Sequence, residues 1–299
     1  MKYKVLLDTD IGDDIDDSFA LSLCLKSKEI DLVAVTTVFR NTLCRAKQAK
    51  QLIVASGKDI PVYVGEGMPT DGIIPGFSFS EEGDLLKTLP CQYDDDMESF
   101  AVNYNAADAV IKYAEEYKGE LIVITIGAMT NLYNALKKDP TIAGKIKKVV
   151  SMGGWFTNFE PEWNILCDPL SVQGVIDSGV QIDFVGLDVT LKCPLDDTLL
   201  DDSRKSSDPS NKLIVKWLDR WFKTFNFEKS VMHDPLAVAS VIKNVCGFEK
   251  VYVKVVTEGS KRGAIEVKKE QTEGYKPVNV ALSVDKDEFY KTIRDVLLA

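Results

Sequence analysis

The stretch "VLLDTDIGDDIDDSFAL", residues 5–21, begins as an apolar strand and ends as the start of a helix. Six of the ten residues from position 8 to position 17 are aspartates. Like charges crowded at one strand end repel one another and cost stability unless they are solvated or a cation lies among them. The stretch therefore predicts either a solvated loop with a helix N-cap or a metal site.

A helix N-cap accounts for one or two of these aspartates, because Asp is favoured where a helix begins. It does not account for Asp8 and Asp10, which lie at the end of a buried strand, where an unpaired carboxylate is costly. An EF-hand loop starting at Asp8 would need acidic ligands at positions that Gly12 and Phe19 occupy, so the stretch is not an EF-hand. A haloacid dehalogenase-like phosphatase would need a lysine and a later acidic pair, for which we find no clear candidate. The pattern favours a site for a hard cation such as Ca²⁺.

The composition argues against several classes of partner. The chain has 299 residues, 45% of them hydrophobic, and its 36 basic and 46 acidic residues give a net charge of −10. An acidic chain without a basic stripe predicts no nucleic acid and no anionic membrane as partner. There is no long apolar run and no signal-peptide pattern, so we expect no transmembrane helix and a cytoplasmic location. Six scattered cysteines without a CxxC pair predict reduced core residues rather than disulfides or zinc ligands.

Strand and helix patterns alternate along most of the chain. The predicted strands cover residues 4–8, 30–38, 60–65, 121–127, 147–154 and 181–189. The predicted helices cover residues 17–26, 42–56, 97–117, 130–138 and 168–178, with a long loop over 66–96. Strands over 250–256, 263–269 and 278–284 and a helix over 285–298 follow. The prediction is one α/β domain over residues 1–299, with a Rossmann-like open, mostly parallel sheet, helices on both faces and a C-terminal antiparallel extension.

Ligands of open α/β sheets bind outside the carboxyl ends of the strands. The first predicted strand ends at Asp8 and Asp10, the second at Arg40 and Asn41, and a later one at a glycine pair, residues 153–154. These chemically reactive or conformationally unusual residues therefore fall on one rim of the sheet, which predicts a site there.

Six segments in order resemble the nucleoside hydrolases, the inosine/uridine-preferring ribohydrolase superfamily. They are "DTDIGDDIDDSFA" (8–20), "TTVFRN" (36–41), "TIGAMTN" (125–131), "MGG" with "PEWNILCDP" (152–169), "VGLDVTLK" (185–192) and "MHDPLAVA" (232–239). The resemblance implies Ca²⁺-dependent hydrolysis of the N-glycosidic bond of ribonucleosides by metal-activated water, giving free base and ribose. It also implies a small-molecule nucleoside or riboside as substrate and a homo-oligomer, either a dimer or a tetramer.

The same resemblance implies roles for individual residues. Asp10 would contact both the metal and its bound water and would act as the general base. His233, the only histidine, would protonate or hydrogen-bond the departing nucleobase. The implied metal ligands are Asp10, Asp17, Asp234 and the backbone carbonyl of Ile126. The implied ribose-binding residues are Asp16, Asn41, Asn158, Glu162, Asn164 and Asp234.

The chain departs from the family pattern at three places. The acidic stretch has two more residues than the family pattern, so either Asp14 or Asp16 could take the place of the first acid in the family's final acid pair. The spacing to Asn41 favours Asp16. Arg40 replaces a glycine, which predicts a narrower pocket or a contact with an anionic group. Residues 66–96 contain no histidine, so the family's HGxxG segment is missing and the preferred base stays open.

Two further alternatives follow from the sequence. The aromatic residues of 216–230 are spaced as a core-facing helix, although one or two could stack on a nucleobase. The chain could instead hydrolyse another ribosylated compound, or bind a sugar with a metal and without turnover.

Overall fold

The computed structural model describes residues 2–76, 84–227 and 229–298. Its strands are β1 (Tyr3–Thr9), β2 (Ile30–Thr37), β3 (Val62–Val64), β4 (Asn103–Tyr104), β5 (Ile122–Thr125), β6 (Lys148–Met152), β7 (Ile182–Val185), β8 (Cys246–Val255), β9 (Ile265–Lys268) and β10 (Lys276–Val284). Its helices are α1 (Asp16–Lys26), α2 (Thr42–Ala55), α3 (Ala106–Glu116), α4 (Thr130–Lys138), α5 (Trp163–Cys167), α6 (Pro169–Asp177), α7 (Leu187–Thr190), α8 (Asp197–Lys205), α9 (Pro209–Phe225), α10 (His233–Ile242) and α11 (Lys286–Leu297).

All the strands of the described residues form one sheet in the order β4-β3-β2-β1-β5-β6-β7-β10-β8-β9. Strands β1 to β7 pair in parallel with their neighbours, and β10 pairs in parallel with β7. Strand β8 runs antiparallel to both β10 and β9. The predicted fold class, with its antiparallel C-terminal extension, is confirmed.

The sheet separates two hydrophobic cores because successive strand side chains point to opposite faces. Val5 and Leu7 of β1 pack with residues of α1, α2, α9, α10 and α11 on one face. Leu6, between them, packs with residues of α3, α4 and α6 on the other face. The near-continuous apolar sequence of β1 therefore reflects a strand that is covered on both sides.

The order of the strands fixes where a ligand can bind. Strand β1 lies between β2 and β5, so the chain moves outward in one direction from β1 to β4 and in the other from β5 onward. Loops that leave β1 and β5 diverge above such a switch point and open a crevice. Asp10 and Ile126 lie just beyond the ends of these two strands.

Two predicted elements are wrong. The helix predicted over 97–117 is a 3₁₀ turn at Asp95–Ser99, then β4, then α3, because Asn105 adopts a left-handed conformation with φ of 67° and interrupts a continuous helix. The strand predicted over 181–189 ends at Val185, where Gly186 turns the chain into α7. Residues 77–83 of the predicted long loop lie outside the described part of the chain.

The aromatic run of α9 belongs to the core. Trp217 and Trp221 are buried against the face that α1 and α2 share, while Phe222 and Phe225 pack at its edge. Among the described residues, no helix has both the length and the apolar character needed to cross a membrane.

Gly263, in the turn between β8 and β9, holds the C-terminal extension close to α5. Its φ is 90°, and a Cβ there would lie 2.8 Å from Cα of Leu166. We expect Gly263→Ala to lower the free energy of unfolding by about 2–4 kcal/mol. An alanine is strained at this positive φ, and its Cβ would also clash with the backbone of α5.

Urea unfolding would measure this loss. Gly259→Ala is the matched control, since Gly259 has a φ of 77° but no heavy atom within 4 Å of the built Cβ. The control should show only the strain contribution, about 1–2 kcal/mol. Equal losses for both variants would contradict the predicted packing against α5.

Candidate functional site

A cavity of about 260 Å³ opens at the carboxyl ends of β1, β5 and β6. Its wall combines carboxylates with aromatic and aliphatic side chains. The lining residues are Asp10, Asp13, Asp14, Asp16, Asp17, Phe39, Ile126, Met152, Pro161, Glu162, Trp163, Asn164, Leu187, His233 and Asp234. The rim predicted from the sequence is therefore a concave site in the structure.

Three buried carboxylates converge from distant parts of the chain. Asp16 and Asp17 lie in the first turn of α1, and Asp234 lies in the first turn of α10. Their carboxylate oxygens lie within 4.8 Å of one another. The positive ends of two helices stabilise the charges in part, and the backbone N–H of Asp234 donates to Oδ2 of Asp16 at 3.0 Å.

Asp10 completes the acidic wall from the end of β1. A Cβ at Gly127 would lie 2.7 Å from Oδ1 of Asp10, so the absence of a side chain at Gly127 makes room for this carboxylate. Ile126 also lines the cavity, and its carbonyl accepts a hydrogen bond from Nδ2 of Asn164 at 3.3 Å. Thr9 Oγ1 donates to Oδ1 of Asp17 at 2.5 Å and fixes that carboxylate against β1.

The protonation equilibria show how costly these charges are. Burial raises the pKa of Asp16, Asp17 and Asp234 well above the usual range, and the neighbouring carboxylates raise it further. Burial also raises the pKa of Asp10 to about 6, although the Arg45 guanidinium opposes the rise. A cation among these oxygens would remove the repulsion, and the all-oxygen donor set suits Ca²⁺ or Mg²⁺ better than zinc.

Arg45, on α2, holds the acidic loop in place and was missed by the sequence analysis. Its buried guanidinium donates to the carbonyls of Asp10, Ile11 and Phe39, the last two at 3.0 and 2.8 Å. It also pairs with Oδ2 of Asp13 at 2.7 Å, which neutralises that carboxylate. Nothing in the local sequence separates this arginine from a surface residue of the same helix.

The structure distinguishes Asp14 from Asp16 by position. Asp16 is buried and lies with Asp17 and Asp234, whereas Asp14 is exposed and accepts a hydrogen bond from the N–H of Ile15 at 2.6 Å. Asp14 still lines the cavity.

Glu162 and Asn164 enter the cavity from α5. Glu162 is the N-cap of α5 and accepts from the backbone N–H groups of Asn164, Gly154 and Ile165 at 3.0, 2.9 and 3.2 Å. Burial raises its pKa, and these hydrogen bonds oppose the rise. The glycine pair and the N-terminus of α5 are thus joined through one carboxylate.

Asn41 and Asn158 do not line the cavity. The Asn41 side chain caps α2 by accepting from the N–H of Cys44 at 3.3 Å, and it donates to the carbonyl of Lys87 at 3.2 Å. Asn158 is exposed, next to a turn that Asp188 holds through the N–H of Phe156 at 2.8 Å. Their predicted contacts with ribose stay predictions that this arrangement does not support.

His233 begins α10 and lines the cavity beside Asp234. Its Nδ1 lies 2.8 Å from Oγ1 of Thr190, so Nε2 is the ring nitrogen left for a ligand. Burial lowers the pKa of His233 to about 4, which keeps the imidazole neutral near pH 7. A neutral ring in this position can donate one hydrogen bond.

The aromatic part of the wall comes from Phe39 and Trp163 rather than from α9. Their rings meet edge to face with centroids 6.2 Å apart. Phe39 and Arg40 have φ values of 66° and 58°, so Arg40 occupies a left-handed position that suits a glycine. The Arg40 guanidinium lies over the Phe39 ring and donates to the carbonyl of Pro75 at 3.1 Å, and it does not line the cavity.

We expect Gly127→Ala to displace the Asp10 carboxylate, and so to weaken the Ca²⁺ binding predicted from the sequence by about 10–100-fold, because the new Cβ would lie 2.7 Å from Oδ1 of Asp10. Calorimetric titration of Ca²⁺ would measure the affinity. Gly144→Ala is the matched control, since a Cβ at Gly144 meets no heavy atom within 4 Å. Equal affinities of the two variants would show that Asp10 does not contribute to a cation site.

Comparison with known proteins places the chain in a family. The family model for inosine-uridine preferring nucleoside hydrolase matches residues 5–291. Uridine nucleosidase 1 of Arabidopsis thaliana is 29% identical over 319 residues, covering 99% of this chain and 93% of that protein. The inosine-uridine preferring nucleoside hydrolase of Crithidia fasciculata is 27% identical, covering 99% of this chain and 98% of that protein.

Solved structures agree with this assignment. A plant nucleoside hydrolase superposes with a TM-score of 0.83 at 25% identity, with all of both chains covered. A purine-preferring ribonucleoside hydrolase from Gardnerella vaginalis gives a TM-score of 0.81 at 25% identity, covering 99% of this chain and 98% of that one. This chain is an N-glycosyl hydrolase, and it belongs to the inosine-uridine preferring nucleoside hydrolase family.

Proposed function

We propose that this protein hydrolyses the N-glycosidic bond of ribonucleosides to free base and ribose, and that it needs Ca²⁺ to do so. The observation that carries the proposal is the convergence of Asp16, Asp17 and Asp234, with Asp10 beside them, in one cavity of a nucleoside hydrolase fold. The relatives named above act on uridine, inosine or purine nucleosides. Their names therefore support ribonucleosides as the substrate class of this protein, but they do not show which nucleobase it prefers.

The donor set fits a hard divalent cation. Asp10, Asp17, Asp234 and the carbonyl of Ile126 would hold it and would supply only oxygen atoms. Asp17 and Asp234 belong to the buried cluster with Asp16, and Asp10 and Ile126 line the same cavity. A bound divalent cation lowers the pKa of coordinated water and neutralises part of the surrounding negative charge.

The protein's own residues then account for the attack on the sugar. Asp10 lines the cavity just beyond the end of β1 and is the carboxylate that would accept the proton of the attacking water. Positive charge develops on the ribose ring as the C1′–N bond breaks, and the buried carboxylates around the cavity stabilise it. Asp16, Glu162 and Asn164 line the same wall and can accept from or donate to the ribose hydroxyls.

His233 lines the cavity and would contact the departing base. Its position at the cavity wall, with Nδ1 engaged by Thr190, leaves Nε2 to hydrogen-bond a base as negative charge develops on it. The family resemblance leads us to propose also that the chain acts on small-molecule nucleosides and forms a dimer or tetramer. The cytoplasmic location expected from the sequence stays a prediction.

We expect ribose release from uridine or inosine to stop when Ca²⁺ is removed with a chelator and to return when it is added back. Asp17→Asn should lower kcat/KM by roughly 100-fold or more, because the charge that offsets the cation is reduced. A reducing-sugar assay measures both effects.

Asp201→Asn is the matched control, since Asp201 is exposed on α8 and does not line the cavity. Full activity in chelator would contradict the metal requirement. Tight ribose binding without release of base would indicate instead a binding protein that lacks turnover.

We expect His233→Ala to lower kcat for uridine and inosine by about 100-fold, the size typical of a lost proton or hydrogen-bond donor. The variant should hydrolyse 4-nitrophenyl β-D-ribofuranoside at close to the normal rate, because nitrophenolate departs without a proton. Steady-state rates on the three compounds measure the effect. A similar loss on all of them would contradict a role at the leaving group.

A further inference from the structure

The five successive backbone carbonyls that follow β1, in the acidic loop between β1 and α1, all accept hydrogen bonds. Arg45 binds the first two of them. The backbone N–H of Gln92 donates to the carbonyl of Gly12 at 3.1 Å. Nε2 of Gln92 donates to the carbonyls of Asp13 and Asp14 at 3.3 and 2.7 Å. One arginine and one glutamine therefore bind the whole run of carbonyls.

The side-chain amide of Gln92 is fully buried and uses all of its hydrogen-bonding capacity. A glutamine side chain has two N–H donors and two acceptor lone pairs. The donors bind the two loop carbonyls, while Oε1 accepts from Nε2 of Gln48 on α2 at 3.0 Å and from Oγ of Ser18 on α1 at 3.4 Å. Because a carbonyl can only accept, this orientation of the amide is the one that satisfies both loop carbonyls. Gln92 thus joins the acidic loop to α1 at the residue after Asp17.

The segment that carries Gln92 is held by contacts of its own. Pro90 packs closely on Gly12, where a built Cβ would lie 2.6 Å from Cβ of Pro90. The carbonyl of Tyr93 accepts from the Arg220 guanidinium of α9 at 2.8 Å, and the Tyr93 side chain is buried. Gln92 is therefore positioned by α9 and by the core, and not only by the loop that it binds.

The acidic loop needs such support because it is two residues longer than the family pattern, with the extra length before Asp16. A longer loop has more conformations to lose. Repulsion among Asp10, Asp16 and Asp17 favours the conformations in which these carboxylates separate. The hydrogen bonds from Gln92 oppose this separation. Carboxylates that are already held close together bind a cation at a lower cost in free energy.

We propose that Gln92 is a positioning residue for the cation site, and that it holds Asp10 and Asp17 at the spacing that a divalent cation requires. Gln92 does not line the cavity, so it acts through the carbonyls of Asp13 and Asp14. The inference rests on the proposed function, because the Ca²⁺ requirement is part of that function. It assigns to the segment around Gln92 the task of ordering the acidic loop before the cation binds.

Gln92→Met tests this role, because it keeps the length of the side chain and removes the hydrogen bonds of the amide. We expect the dissociation constant of Ca²⁺ to rise by about 10-fold or more, since the loss of a group that orients metal ligands typically weakens metal binding by 10–100-fold. Calorimetric titration measures the affinity. In the cation-free protein, the backbone N–H groups of the acidic loop should exchange with deuterium faster than in the wild type.

Gln48→Met is the matched control. Gln48 is as deeply buried as Gln92 and belongs to the same network, but its Nε2 donates to Gln92 and not to a carbonyl of the acidic loop. This control should change the dissociation constant of Ca²⁺ by less than about threefold. Gln92→Asn is a milder second variant, whose shorter amide cannot reach both carbonyls, and it should weaken Ca²⁺ binding in the same direction. Circular dichroism would set a temperature at which the compared variants are folded.

A Ca²⁺ affinity that Gln92→Met and Gln92→Asn leave unchanged would overturn the inference and leave the proposed function intact. An equal loss of affinity in Gln48→Met would do the same, because it would assign the effect to core packing. A wild-type protein that binds no Ca²⁺ would overturn the proposed Ca²⁺ requirement and the inference with it.

Discussion

Repulsion among the buried carboxylates of one cavity is the constraint on which the rest of this site depends. Asp16 and Asp17 begin one helix, Asp234 begins another, and their oxygens lie within 4.8 Å of one another. Burial and the neighbouring carboxylates raise the pKa of all three, which disfavours their charged forms. Such an arrangement is stable in its charged form only with an opposite charge at its centre. The Ca²⁺ that we propose would supply this charge.

The fold supplies the rigidity that the arrangement needs. The loops that follow β1 and β5 diverge at the switch point of the sheet. Because Gly127 has no side chain, the Asp10 carboxylate can approach the backbone that follows β5. Arg45 binds the carbonyls of Asp10 and Ile11 between β1 and α1, and the carbonyl of Phe39 beyond β2, so it holds the acidic loop at the cavity. Glu162 performs the same task for α5. Repulsion is thus opposed by hydrogen bonds to backbone, which cost little entropy once the sheet has formed.

The sequence predicted the strands and the acidic rim because both depend on local patterns. Apolar runs as long as β1 leave little choice but a buried parallel strand, and aspartates directly after it must face the rim. Local patterns do not show which partner a side chain chooses. Asn41 matches a family motif, yet its amide caps α2 and bonds Lys87. Asn158 is exposed beside a turn that Asp188 holds, and the buried guanidinium of Arg45 depends on contacts with residues far away in the chain.

A crystal structure of the protein grown with Ca²⁺ tests the central claim most directly. The account predicts one Ca²⁺ per chain, with oxygens of Asp10, Asp17, Asp234 and the Ile126 carbonyl about 2.3–2.6 Å from it. Anomalous scattering would identify the ion. A protein that binds Ca²⁺ only elsewhere, or that leaves these carboxylates without any cation at millimolar Ca²⁺, would contradict the account.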